Sequence, residues 1–181
     1  MEIALISEDL FKANSPIKDD TFISKFVPYI VLAQKMYIEK ILGRAVVDEL
    51  QDQIKAATED PDAVPYPITP ENQALLQMIA PPLSFYAVYQ GLPFHWAAVV
   101  NKGVTMRNSE NSDAAGLNDI AQLRRWLRDD AEELTRQLID YLCNCGGTYP
   151  LWTSRGYCGG GCGCDGKNNS PFDSGIFIPR R

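Results

Sequence analysis

Five cysteines are the residues most able to act together chemically. Cys143 and Cys145 stand where a long helical pattern ends. Cys158, Cys162 and Cys164 lie in a glycine-rich run, GYCGGGCGC. Glycine lets the backbone fold tightly enough for several thiolates to converge on one ion. The pattern C-x-C…C-x3-C-x-C is not that of a standard zinc knuckle, and three outcomes stay open. Four of the five could ligate a structural zinc. A disulfide could join the helix end to the loop. All could be free, partly buried thiols in a chain folded under reducing conditions.

The single histidine, His95, sits in Leu92-Pro93-Phe94-His95-Trp96 with no nucleophile or base paired to it along the chain. A lone histidine among aromatics reads as a packed, hydrogen-bonded residue rather than an acid–base catalyst. The Gly-x-Ser-x-Gly elbow, the phosphate-binding Walker loop, His-Glu-x-x-His and the dinucleotide fingerprint are all missing. We therefore expect no catalytic residues and no cofactor beyond that zinc. Asp129-Asp130 and Glu132-Glu133 read as a solvated helix face. Arg124, Arg125 and Arg128 could meet phosphates, but interleaved acids favour a solvated or subunit-facing helix.

These residues must be positioned by helices. The central one starts at Thr69-Pro70, an N-cap followed by a proline whose missing N–H is harmless in the first turn. Leu75, Met78, Ile79, Leu83, Tyr86 and Tyr89 recur at helical steps. Glu71 is its one acid, which predicts burial on more than one side. Pro81 and Pro82 should kink it, and Gly91 and Pro93 should end it. A short extended arm or hairpin is expected next, over Val99 to Asn108, turning at Asn101-Lys102-Gly103.

Upstream, Ser7 caps a short helix in which Ile6 and Phe11 can staple, ended by Asn14-Ser15-Pro16. A second helix is expected from about Asp20 to Leu42, bent or begun at Pro28 and closed by Gly43. A third runs from about Ala45 to Ala57. Residues 58–68, TEDPDAVPYPI, form a stiff exposed connection. After a polar loop at 108–116, the last helix spans about Leu117 to Asn144. Arg128–Glu132 and Glu132–Arg136 are spaced there for ion pairs.

Beyond residue 145 the chain is rich in glycine, aromatics and turn formers. We expect two parts: a helical domain over 1–145, with the arm at 99–116, and an extended tail over 146–181. The tail is too poor in aliphatic residues to hold a core. Its Tyr149, Leu151, Trp152, Tyr157, Phe172, Ile176, Phe177 and Ile178 would dock on a partner, and 174–178 could add an edge strand. The fold class is all-α: about four main helices with an inserted short β arm.

The chain has 181 residues and a net charge of −6, which argues against wholesale wrapping of nucleic acid. No apolar run approaches the roughly 18 residues of a membrane span. MEIALISEDL is acidic and lacks the basic start and apolar core of a signal peptide, so folding in a cytoplasm is expected.

Several short stretches carry a resemblance: Val31-Leu32-Ala33-Gln34-Lys35 with Ile41-Leu42-Gly43, Leu75-Leu76 through Ala80-Pro81, Ser84-Phe85-Tyr86-Ala87, Asn101-Lys102-Gly103-Val104, and Leu138-Ile139-Asp140-Tyr141-Leu142. Over about residues 1–145 the chain resembles the bacteriophage head–tail connector or adaptor family, in the versions of crAss-like and other Bacteroidetes phages. The resemblance implies a helical bundle made in the host cytoplasm and assembled as a twelve-subunit homo-oligomeric ring in the virion neck. Such a ring would bind the portal protein and other neck or tail rings. DNA would pass through without sequence-specific contact, and no membrane would be involved. Partner contacts are expected at Val99, Val100, Val104 and Met106 of the arm, and at Tyr149, Trp152, Tyr157, Phe172, Ile176, Phe177 and Ile178 of the tail. The alternative is a zinc-binding interaction module centred on Cys143, Cys145, Cys158, Cys162 and Cys164.

Overall fold

The computed structural model describes residues 3–17, 23–100, 103–106, 116–145, 147–154 and 156–158. They are predominantly helical, so the chain belongs to the all-α class. Helix α1 (Glu8–Asn14) starts as its sequence dictates. Ser7 Oγ accepts the Leu10 N–H at 3.2 Å, and Ile6 and Phe11 are buried.

The expected second helix is several pieces. A 3-10 turn (Ile23–Lys25) precedes α2 (Val27–Ala33), a π-helical turn (Gln34–Ile38) and α3 (Glu39–Leu42). Pro28 occupies the first turn of α2, where no N–H is needed, and so marks the start of the regular helix rather than a bend. The π turn admits one extra residue. It places Gln34, 1 % exposed, where its Oε1 accepts the Leu5 N–H at 3.0 Å and its Nε2 donates to the Ile3 carbonyl at 3.3 Å. Gln51 Nε2 donates to the same carbonyl at 2.8 Å. A buried amide thus stitches the N-terminal segment to the body, a role that apolar periodicity does not reveal. Tyr37, in the same turn, stacks on Tyr86 with ring centres 3.8 Å apart. Gly43, at φ +84°, swings the chain into α4 (Arg44–Glu59).

Helix α5 (Pro70–Trp96) is the axis of the bundle, packed against α1, α2, the π turn and α6 (Leu117–Asn144). Thr69 Oγ1 accepts the Asn72 N–H at 3.3 Å, the cap its sequence predicts. Leu75, Ile79, Ala80, Leu83, Ser84 and Ala87 have no solvent exposure. The helix does not stop at Gly91 or Pro93 but continues to Trp96. A proline inside a helix gives up its own N–H bond and crowds the carbonyl four residues back, and burial on several sides outweighs both. Gly91 has a different purpose. A Cβ there would lie 3.0 Å from ring carbons of both Phe26 and Tyr29, so its bareness admits α2 and the turn before it.

Helix α5 runs directly into β1 (Ala97–Val100), which pairs antiparallel with β2 (Gly103–Met106), Val99 opposite Val104. Extended structure therefore begins two residues earlier than the sequence reading placed it. The polar loop expected at 108–116 lies outside the described residues except for Gly116, whose N–H is accepted by Asp119 Oδ2 at 3.2 Å at the start of α6. Among the described residues, no helix is long and apolar enough to cross a membrane.

Candidate partner-binding surfaces

Of the cysteines expected to supply four zinc ligands, the described ones, Cys143, Cys145 and Cys158, do not form a thiolate cluster. Cys143, in the last turn of α6, forms a disulfide with Cys158, their Cα atoms 5.6 Å apart. A disulfide sulfur has no thiolate to offer a metal, so this state withdraws two of the five. Cys145 is a free thiol, and Cys162 and Cys164 lie outside the described residues. No group of three metal-ligating side chains occurs among the described residues.

The disulfide also explains where the expected tail goes. Tyr149 and Trp152 are 4 % and 7 % exposed and belong to the main core. Trp152 Nε1 donates to the Ile41 carbonyl at 3.0 Å. That carbonyl lies in the last turn of α3, where a helix lacks internal donors. Tyr149 Oη donates to the Glu71 carbonyl at 2.9 Å and lies 2.8 Å from Tyr141 Oη. Burial first, and then Tyr141, hold the Tyr149 phenol well above its ordinary value. The expected boundary at 145 is thus corrected. Tyr149 and Trp152 are not free for a partner, because they fill a gap that the helices leave. Poverty in aliphatic residues hid this, since two aromatics, one indole hydrogen bond and one disulfide suffice to anchor a short segment. Leu151 and Tyr157 are exposed; Phe172, Ile176, Phe177 and Ile178 lie outside the described residues.

Of the arm residues, Val99 pairs with Val104 in backbone register, Val100 with Gly103, and Met106 with Ala97. His95 stacks on Phe26 with ring centres 4.2 Å apart and planes 6° from parallel, a packed histidine as its neighbours suggested.

Helix α6 carries the described chain's most unusual surface. Leu127, Ala131, Leu138 and Leu142 are buried against the bundle. Its other face is charged. Arg128 pairs with Asp129 at 3.2 Å and Glu132 at 3.4 Å, and these acids push its guanidinium pKa further up, Asp129 foremost. Arg136 pairs with Glu133 instead of the expected Glu132. Yet Trp126, amid these charges, is 59 % exposed, and Leu123, one turn before it, is 40 % exposed. Sequence reasoning passed over Trp126. The signal available was its type: an indole on a charged helix face is out of place unless something covers it. Elsewhere on α6, Arg124 lies over the Tyr89 ring at 4.4 Å, and Tyr89, Arg124, Arg125 and Arg128 line a shallow cleft of about 200 Å³.

Residues 38–161 match the model of DUF6712, a family of unknown function. The chain belongs to that family. No curated protein and no solved structure matches it. The DUF6712 match begins at Ile38, the end of the π turn, and runs past Cys158. It therefore takes in the disulfide, Tyr149 and Trp152, and leaves out Phe172 to Ile178.

Proposed function

We propose that this DUF6712 chain is a structural subunit of a phage neck, a head–tail connector that oligomerises as a ring between portal and tail. The observation that carries the reading is the exposed Trp126–Leu123 pair on the otherwise charged face of α6. A tryptophan buries about 150–250 Å² when covered, enough to anchor a contact between copies. In this reading the hairpin is the arm that reaches an adjacent subunit or ring, through Val99, Val100, Val104 and Met106. Tyr157 and the segment 172–178 supply the remaining contacts. DNA would pass through the ring without base contacts, and the overall acidity would keep it from sticking. The subunit would work by burying surface, not by chemistry, which agrees with the packed state of His95.

Native mass measurement and electron microscopy of the full chain test the proposal. The expected product is a ring of twelve copies, and Trp126→Asp should leave the subunit folded but monomeric. A chain that stays monomeric at high concentration with and without purified portal protein would end the reading. So would rings that form unchanged with Asp at 126.

A further inference from the structure

The N-terminal segment, the end of α4, the 60–69 connection and the start of α5 enclose a groove of about 500 Å³. Its apolar walls include Ile3, Leu10, Ile54, Tyr66, Ile68 and Leu76, and none of its lining residues is charged. Leu76 is buried, whereas Ile3, Leu10, Ile54 and Ile68 keep part of their surface open and Tyr66 is exposed. The volume falls in the range of pockets that hold whole ligands, roughly 300–1,000 Å³, and so exceeds what one side chain fills. Gln73 and Gln77 on its lining offer amide donors and acceptors suited to an extended backbone.

We propose that in the free subunit this groove holds the chain's own C-terminal segment, Ser174 to Pro179. The described body ends at Cys158, which the disulfide fixes to the end of α6. That end adjoins the start of α5, where Tyr149 reaches the Glu71 carbonyl. Glu71 is within one helix turn of Gln73, on the groove. Residues 159–171 separate Cys158 from Phe172. Fully extended they reach about 45 Å, against about 30 Å for the width of a small domain. Beyond Cys158, the sole run of consecutive large apolar residues is Ile176-Phe177-Ile178, within the uncharged Ser-Gly-Ile-Phe-Ile-Pro. An uncharged groove and an uncharged apolar segment match. Tethering also raises the local concentration of the segment to the order of millimolar, so weak intrinsic binding still fills the site. The inference concerns the free subunit and stands whether or not the chain builds a ring. If it does, the segment expected to clamp a neighbour is parked on its own body beforehand.

Photo-crosslinking in the full chain tests this. Benzoylphenylalanine replaces Tyr66, dilute protein is irradiated, and the joined peptides are mapped by mass spectrometry. The expected result is a crosslink to 174–179 within single-mass chains, its yield cut severalfold by the double change Ile176→Asp and Ile178→Asp. Neither position lines the groove, so an unaltered circular-dichroism spectrum and unfolding curve show that the groove itself is intact. Crosslinks to the segment found only at twice the chain mass would place a second copy's segment there and overturn the proposal. Crosslinks elsewhere, or a yield indifferent to the aspartates, would also overturn it.

Discussion

Trp152 decides whether the chain after α6 is an appendage or part of the body. Its indole is nearly fully buried, and its N–H satisfies the Ile41 carbonyl at the end of α3. Truncating a buried tryptophan to alanine costs about 3–5 kcal/mol in lost transfer energy and cavity. Trp152→Phe keeps most of the apolar ring but strands the Ile41 carbonyl, at about 1–3 kcal/mol. Whole domains are stable by only about 5–15 kcal/mol. The alanine variant should therefore lose a large fraction of the total, and its melting temperature should fall by roughly 6–20 °C for a chain of this size. Urea unfolding followed by circular dichroism measures both variants, with the disulfide kept intact so that only the packing changes. The midpoints should fall in the order wild type, Phe, Ala, with similar slopes. An alanine variant within about 0.5 kcal/mol of wild type, the range of ordinary surface changes, would refute the claim that Tyr149 and Trp152 complete the core.

Four further outcomes follow from the packing. Tyr149→Phe should cost about 0.5–1.5 kcal/mol near neutrality. Because the folded state raises the Tyr149 pKa, its contribution is complete below the unfolded value of about 10 and is lost as pH rises through the folded value. Wild type should then lose stability more steeply than the variant above about pH 10, with a residual slope from Tyr86, also raised by burial; parallel curves would contradict this. Gly91→Ala should destabilise by about 1–3 kcal/mol through overpacking against Phe26 and Tyr29, although alanine favours helix by about 1 kcal/mol. Gly147→Ala, with nothing within 4 Å of the added Cβ, should be neutral, and a stabilising Gly91→Ala would show that the helices do not approach so closely. Gln34→Leu should cost about 1–3 kcal/mol by leaving the Leu5 N–H without its acceptor. Amide exchange at Leu5 as slow as in wild type would show that another group takes over.

The helical class, the caps at Ser7 and Thr69, the burial of α5 and its place at the centre were legible because caps and apolar period are local signals. What escaped the sequence reading was tertiary. Gly91 reads as a stop and serves as a close approach, which depends on rings that lie far along the chain. Gln34 looks like one polar residue in a helix and is the bridge to the N-terminal segment. Tyr149 and Trp152 stand in a glycine-rich stretch without period, so only their packing against α3 and α5 reveals that they close the core. The cysteine pattern left zinc, disulfide and free thiols open because convergence in space, not spacing along the chain, decides between them. Among the exposed side chains, Trp126 was readable by type and was obscured by its charged neighbours.

The bond between Trp152 and the Ile41 carbonyl joins residues 111 positions apart. A ribosome adding about 5–20 residues per second needs roughly 6–22 s to cover that distance. Once α5 has been made, the nascent chain displays a largely apolar central helix whose last covering is still missing. Chains released early, before Trp152 emerges, would carry most of the greasy interior without its lid and would be clients for chaperones or proteases. The residue that closes this part of the core is thus among the later ones to be made.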